Sequence, residues 1–273
     1  MQTGYYSSAA GMVTQFNRLD TIANNLANVN TAGFKEDTLI VGDFMRVLKE
    51  ARDELPNANQ TKEGAAFLNR TLTKAPQVVD SFTDFSVGDL AKTSNTLDFA
   101  LSKDDLFFAV KTPQGIRLTR DGSFLLNEEG KLVNKQGYEV LAQDYKTSNQ
   151  GIAFAQEDTV IKADKNGQIY TNVPGALNMV AGQKLLVVQP DNIKELKKDG
   201  DNLYKLENLD GLEVVDNSGA VAQGFVEKSN VNAVQMMTEL IEANRLIGMY
   251  QKAMDTQMND MNKDAIEKIA KRA

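Results

Sequence analysis

A helical period of apolar residues runs through the first 34 residues of the chain. Apolar side chains recur there at alternating steps of 4 and 3, a spacing of about 3.5 that keeps them on one face of a helix. Residues 28–33 are turn formers, and Gly33 can adopt the positive φ that often follows a helix. The stripe comprises Tyr5, Ala9, Met12, Phe16, Leu19, Ala23 and Leu26.

The C-terminal segment repeats this pattern over a longer stretch. Asn232 is suited to cap a helix, with Gln235 three residues on as in a capping box. From Asn232 to Ala270 the chain has no Pro and one Gly, which predicts a single helix roughly 55–60 Å long. The rhythm breaks once, at Gln257. Its stripe comprises Met236, Leu240, Ala243, Ile247, Tyr250, Met254 and Met261.

The middle of the chain, from about Val78 to Glu227, has the rhythm of an all-β unit, with short runs separated by Gly turns. The run Lys184–Val188 is continuously apolar after its Lys and predicts a strand buried on both faces. Alternation typical of half-buried strands occurs at Ile116/Leu118, Tyr138/Val140 and Leu212/Val214.

Hairpin turns are predicted where an Asp or Asn opens the turn and a Gly stands at its fourth position, as in residues 127–132, 164–169 and 216–221. A short helix is predicted at Asn192–Lys197.

Between the first helix and the β unit, Asp43–Leu55 and Lys62–Arg70 have the spacing of short helices. The predicted fold is therefore α+β. Its segments are an N-terminal axial helix (1–34), a connecting segment (35–76), a central domain of short antiparallel strands (77–228) and a C-terminal axial helix (229–273).

Composition narrows the classes of function. The chain of 273 residues has no His, Cys or Trp, which excludes His-dependent nucleophile systems, the usual zinc ligand sets and disulfides. A net charge of −7 argues against a nucleic-acid partner. The sequence has no apolar run long enough to span a membrane, and no cleavable signal is expected because no apolar stretch follows Met1.

Motifs for chemistry are weak. The chain lacks a phosphate-binding P-loop and a GxGxxG motif after a strand. Asp164–Gly167 resembles part of a calcium loop, but a third acid is missing and Gly175 stands where Glu should be, which favours a plain turn. The acid pairs at 104–105 and 128–129 favour solvated turns over a glycosidase site. We therefore predict no catalytic, cofactor or metal residues and no small-molecule substrate.

The terminal stripes predict a subunit interface, with ordinary packing against the β unit as the alternative. A 3.5-residue period suits helix–helix contacts, and a lone helix in water is marginal until it finds a partner. Six of the ten Met lie in the last 42 residues, where adaptable side chains suit several different neighbours. The predicted interface residues are Tyr5, Met12, Phe16, Leu19, Leu26, Met236, Leu240, Ile247, Tyr250, Met254 and Met261.

Four blocks resemble the bacterial flagellar axial proteins, the rod and hook family. The most specific is ANNLANVNTAGFK at Ala23–Lys35. TRDGSF at Thr119–Phe124, followed by GKLV and GYEVL, resembles the central β motif, and NTLDFA at Asn95–Ala100 matches a further segment. GFVEKSNVN at Gly224–Asn232 resembles the lead-in to the family's C-terminal helix.

The resemblance implies a non-enzymatic subunit of the basal-body rod, the periplasmic driveshaft that joins the membrane ring to the hook. It implies coiled-coil packing of the terminal helices inside a tube, a β domain outside, other rod subunits as partners, and passage through the flagellar type III export apparatus.

The chain departs from the family pattern in three places. Arg245 is followed by Leu246-Ile247-Gly248 rather than an aromatic residue and an acid, and Lys103-Asp104-Asp105 replaces a Gly pair. The Gly-rich loop that the resemblance implies for the distal rod protein is absent from Arg46–Pro76, which favours a proximal-rod subunit over a distal one.

A second hypothesis is an exported β-rich module that binds a glycan or a surface partner, with the helices paired inside one chain. An enzyme is a third, since carboxylates, Lys and hydroxyl groups are present.

Overall fold

The computed structural model describes residues 2–43, 76–145, 151–154, 160–172, 179–206, 212–216 and 219–270. The chain divides into two compact units. The helical unit draws on Met1–Ala27, Asp37–Phe82 and Asn232–Ala273, and the β unit on Asn28–Glu36 and Thr83–Val231.

Both predicted terminal helices are present: α1 spans Gln2–Ala27 and α2 spans Ala233–Ala270. Asn232 caps α2, because its Oδ1 accepts from the backbone N–H groups of Val234 (3.1 Å) and Gln235 (3.3 Å). The Gln235 amide is directed toward Glu239 rather than back to the cap. Gly33 has φ +68° as expected, but it lies six residues beyond the end of α1.

A two-stranded sheet accompanies the helices, formed by β1 (Asp37–Asp43) and β2 (Pro76–Thr83). Strand β1 lies in the predicted connecting segment and includes Asp43, the expected first residue of a short helix. The β-branched residues of Thr38–Val41 favour a strand there. The remainder of that predicted helix and the whole of Lys62–Arg70 lie outside the described residues.

The β unit is built on one antiparallel sheet whose central strand, β5 (Phe107–Thr112), pairs with three others. These are β6 (Gly115–Thr119), β9 (Glu139–Val140) and β13 (Val187–Pro190). The sheet continues through β7 (Leu125–Leu126), β8 (Leu132–Val133), β14 (Lys197–Lys198), β15 (Leu203–Lys205) and β16 (Leu212–Val214).

Smaller sheets complete this unit. One has three strands, β10 (Ile161–Ala163), β11 (Gln168–Thr171) and β12 (Val180–Lys184). Two others are pairs in which β3 (Leu90–Lys92) meets β18 (Phe225–Glu227) and β4 (Phe99–Leu101) meets β17 (Val221–Gln223).

Two apolar clusters cover opposite faces of β5, because successive side chains of a strand point to opposite sides. Phe108 and Val110 belong to one cluster, whereas Phe107 and Ala109 belong to the other. The run Lys184–Val188 shows the same division, which confirms burial on both faces. It is not one strand, however, because β12 ends at Lys184 and β13 begins at Val187.

The predicted pairs Ile116/Leu118, Tyr138/Val140 and Leu212/Val214 each place both members on one face of the sheet.

Two of the three predicted turns are confirmed as hairpin connections: residues 127–132 join β7 to β8, and residues 164–169 join β10 to β11. The third, 216–221, lies partly outside the described residues, and the strands on either side of it pair with β13 and β4 rather than with each other. Oδ1 of Asp164 accepts from the backbone N–H groups of Asn166 and Gln168, both at 2.9 Å, while Gly167 has φ +81°. Asn127 holds its turn in the same way, and so does Asn134, which was not among the predicted turns.

The predicted short helix at Asn192–Lys197 is a single 3₁₀ turn, Ile193–Glu195. Asn192 caps it by accepting from the N–H of Lys194, but Lys197 has already entered β14.

Candidate assembly surfaces and a buried ion cluster

Helices α1 and α2 contact each other in antiparallel orientation within the helical unit. A Cβ atom added to Gly11 would lie 2.6 Å from the ring of Tyr250, and one added to Gly4 would lie 2.8 Å from Nε2 of Gln257. Both glycines therefore allow a larger side chain of α2 to lie directly on the α1 backbone. Gln257, which interrupts the apolar rhythm of α2, is thus part of this contact.

Polar groups extend the contact toward the other end of α1. Arg18 and Glu239 form an ion pair of 3.1 Å. The side chain of Asn25 is buried, exchanges two hydrogen bonds with the backbone of Asp37 in β1 and reaches the sulfur of Met236 at 3.9 Å. Asn25 therefore joins three elements of the helical unit.

The predicted α1 stripe is not the face that lies against α2. Of the α1 residues whose burial is described, Gly11, Thr14, Ile22 and Asn25 are buried in the unit. By contrast, Phe16 is 42% exposed. The half-buried members of the predicted set on α1 are Tyr5, Met12, Leu19 and Leu26.

On α2 the predicted stripe coincides with the face that contacts α1. Met236 and Ile247 are buried, as is Ala243 between them. The remaining members of the predicted set are half-buried: Leu240, Tyr250, Met254 and Met261.

Both helices leave apolar side chains in water on their other faces. On α1 these are Tyr6, Val13 and Phe16, between 42% and 69% exposed. On α2 they are Val234, Met237, Ile241, Met249, Met258 and Ile266, between 50% and 75% exposed. A surface with so many exposed apolar residues on two helices is typical of an interaction site.

The β unit contains a buried ion cluster formed by Lys35, Arg120 and Glu227, whose side chains have no exposed surface. One carboxylate oxygen of Glu227 lies 2.6 Å from Nζ of Lys35, and the other lies 2.8 Å from Nη2 of Arg120. Glu227 also accepts from the backbone N–H of Gly88 at 3.0 Å. One carboxylate thus compensates two buried cations and a buried amide.

The remaining donors of the two cations are directed to backbone carbonyls. Arg120 donates to the carbonyl oxygens of Lys103, Leu106 and Leu101. Nζ of Lys35 donates to that of Ser86 at 2.6 Å.

Burial lowers the pKa of Lys35 from its ordinary value of 10.5, and the Glu227 carboxylate opposes part of that shift.

The segment that follows α1 is fastened to the β unit around this cluster. Gly33 donates its N–H to the carbonyl of Glu227 (2.8 Å), and Glu36 donates its N–H to Oδ1 of Asn230 (2.8 Å). Lys198 adds a hydrogen bond to the carbonyl of Lys35 and lies 4.2 Å from the ring centre of Phe34. This short stretch therefore folds as part of the β unit.

All three members of the cluster lie within the motif blocks, but the motifs alone do not predict that these residues meet. Lys35 ends the first block, Arg120 lies in the TRDGSF block and Glu227 in the GFVEKSNVN block. Each charged residue lies within three positions of a motif glycine, at Gly33, Gly122 and Gly224. Gly33 and Gly122 allow close approach of another backbone segment, and Gly224 has a positive φ, so charged residues near motif glycines were the available sequence signal.

Across the parts of the chain that the structure describes, no group of three acidic side chains could hold a metal ion. The acid pairs 104–105 and 128–129 lie in turns, as expected. No helix among those residues is both long and apolar enough to span a membrane.

Comparison with protein-family models gives three matches in chain order. Residues 6–35 match the flagella basal body rod protein family, and residues 104–171 match the flagellar hook protein FlgE/F/G D1 domain. Residues 222–267 match the flagellar basal body rod FlgEFG protein C-terminal family. The cluster residues Lys35, Arg120 and Glu227 each fall in a different match.

Curated relatives match over almost the whole chain. Flagellar basal-body rod protein FlgF of Rhizobium meliloti is 34% identical over 90% of this chain and 89% of its own length. FlgF of Caulobacter vibrioides is 30% identical over 99% of both chains. FlgG of Agrobacterium fabrum is 31% identical over 91% of this chain and 93% of its own.

These matches confirm the resemblance drawn from the motif blocks. They also confirm the prediction of a structural flagellar component rather than an enzyme. The chain therefore belongs to the flagellar basal-body rod protein family.

Proposed function

We propose that this chain polymerises through its terminal helices into the flagellar rod, a periplasmic driveshaft that transmits torque to the hook. Its partners are further copies of itself and neighbouring rod subunits. The flagellar type III export apparatus is the proposed route to the assembly site, on the strength of the family resemblance.

One observation carries this proposal: most large apolar side chains of the two helices are exposed or half-buried, whereas most of those in the β unit are buried, with Leu125, Val160 and Val180 among the exceptions. Tyr6 on α1 is 69% exposed and Val234 on α2 is 75% exposed. In contrast, Phe99, Phe107, Phe108 and Phe124 of the β unit are fully buried. Covering the exposed helical residues in an assembly would contribute roughly 1.5–3 kcal/mol for each large side chain that becomes fully buried.

The contact between α1 and α2 inside one copy is compatible with assembly. It uses the glycine face of α1, so the half-buried stripe from Tyr5 to Leu26 and the exposed Phe16 remain for neighbouring copies. A surface that fits a different surface on the next copy builds an open helical filament when the rotation does not close. We propose coiled-coil-like packing between copies as the form of this contact.

We propose a position in the proximal rod. This rests on the sequence, because Arg46–Pro76 lacks the Gly-rich loop that the family resemblance implies for the distal protein. Relatives named FlgF and FlgG match at similar identity, so the choice between the two positions depends on that segment.

The proposal predicts that Phe16→Asp strongly reduces incorporation of the protein into the rod. The new carboxylate would have to be buried without a partner at the interface between copies, which lowers incorporation by roughly tenfold or more. Asn17→Asp is the matched control, since Asn17 is the adjacent exposed residue and lies outside the predicted stripe. Rod protein in isolated basal bodies and swimming of strains that carry only the variant measure the effect.

In the purified full chain, thermal unfolding of the β unit should be unchanged in both variants. Near-ultraviolet circular dichroism measures this unfolding. Normal incorporation of Phe16→Asp would contradict polymerisation through this helix, as would an equal loss in Asn17→Asp.

A further inference from the structure

Helix α1 carries only two charged side chains, Arg18 and Asp20. Arg18 is used inside the copy, where it pairs with Glu239. Asp20 is exposed and forms no ion pair with any residue in the described parts of the chain. An interface that covers this face of α1 must therefore supply a cation for Asp20.

Asp20 lies on the side of α1 away from α2. It is nine residues from Gly11, and at about 100° per residue this places the two on opposite sides of the helix. Phe16 and Ala23, one turn before and after Asp20, are exposed as well. The outer face of α1 thus presents one carboxylate between an aromatic residue and a small apolar residue.

Helix α2 presents a counterpart of opposite charge. Arg245 is exposed and forms no ion pair with a described residue. It lies one turn from Ile241, which is 68% exposed, and one turn from Met249, which is 51% exposed. Ile241 is nine residues from Tyr250, so this face is also turned away from the partner helix of the same copy.

We propose that Asp20 of one copy pairs with Arg245 of the next copy in the rod, with Phe16 against Met249 and Ala23 against Ile241. This inference rests on the proposed function. Successive copies of a helical filament run in one direction, so α1 of one copy meets α2 of the next antiparallel, as it does within a copy. In this direction Phe16 lies opposite Met249 on one side of the ion pair. On the other side the small residue Ala23 lies opposite Ile241.

Charge reversal tests the pairing. Asp20→Arg and Arg245→Asp alone each bring like charges together and should lower incorporation into basal bodies by roughly tenfold or more. The double variant Asp20→Arg/Arg245→Asp restores opposite charges and should recover most of the incorporation. Asp255→Arg reverses another exposed charge of α2, roughly 15 Å further along the helix and outside the three proposed contacts, so it is the control and should be incorporated normally.

Cross-linking tests the register. Because the chain has no native Cys, every disulfide between copies must come from the introduced cysteines. Ala23→Cys/Ile241→Cys should yield disulfide-linked dimers and higher multimers when basal bodies are oxidised. Ala23→Cys/Met249→Cys is the control, because position 249 lies roughly 12 Å further along α2.

The pairing is wrong if either single reversal is incorporated normally, if the double reversal is no better than the poorer single one, or if both cysteine pairs cross-link equally. Normal incorporation of the reversals together with failure of Phe16→Asp would reject the pairing alone. Normal incorporation of Phe16→Asp as well would reject the proposed function itself.

Discussion

At the scale of residues, Glu227 links three distant stretches of the β unit through Lys35, Gly88 and Arg120. Its carboxylate is fully buried, and so are the two cations beside it. Buried ion pairs add little net stability compared with apolar replacements, but removing one partner leaves charge uncompensated in a poorly solvated site. Replacing any one of the three charged residues alone is therefore expected to destabilise the β unit.

Glu227→Gln should destabilise the β unit by about 3–5 kcal/mol, because buried Arg120 would lose its carboxylate and Lys35 would lose the group that opposes the lowering of its pKa by burial. Glu213→Gln is the control, since Glu213 is exposed in β16, and it should change stability by less than about 0.5 kcal/mol. Urea unfolding followed by near-ultraviolet circular dichroism measures both. Equal midpoints for the two variants would contradict the role given to the cluster.

At the scale of elements, small residues decide which face of α1 meets α2. Gly4 and Gly11 are seven residues apart and lie against Gln257 and Tyr250, which are also seven apart. The repeat therefore places like positions of both helices in register.

Gly11→Ala separates the effect of packing from that of helix propensity. Ala is more favourable than Gly within a helix by about 1 kcal/mol, but the added methyl group at position 11 meets the Tyr250 ring. Gly248→Ala is the matched control, because a Cβ there has nothing within 4 Å. We expect Gly248→Ala to raise the melting temperature of the helical signal and Gly11→Ala to lower it or leave it unchanged. A similar gain in both would contradict close packing at Gly11.

The sequence predicted these helices and most of the hairpin turns, because periodicity and Asp/Asn–Gly spacing are local signals. It did not predict which face of α1 contacts α2 within one copy. Apolar periodicity marks the face of Phe16, whereas this contact depends on glycines, which have no side chain. It also did not predict the cluster, because Lys35, Arg120 and Glu227 are brought together only by tertiary folding. Strand β1 was missed although Thr38–Val41 favour a strand, because its partner lies more than 30 positions away.

At the scale of the whole molecule, the two units differ in how much they bury. The β unit has two apolar clusters on opposite faces of its main sheet. Among the side chains of α1 and α2 that the structure describes, the buried apolar ones are Ile22, Met236, Ala243 and Ile247. Local stability follows the density of buried contacts, so the units are expected to open at different free energies.

Hydrogen exchange of a dilute monomer should therefore show slower exchange in β5 and β6 than in α1 and α2. We expect the helical amides to gain protection when the protein is part of an isolated basal body, because neighbouring copies cover their outer faces. Equal protection of helices and strands in the monomer would contradict this picture and favour helices that are complete within one chain.

The ion cluster also constrains how such chains can diverge. Its members come from three distant stretches, so a gene segment exchanged between two related proteins carries only part of the set. A chimera that takes residues 1–36 from a relative would fold well only if that donor supplies a cation matched to the recipient's Arg120 and Glu227. We therefore expect recombination between related genes to yield a stable protein only when the exchanged segments keep the charges of this cluster matched.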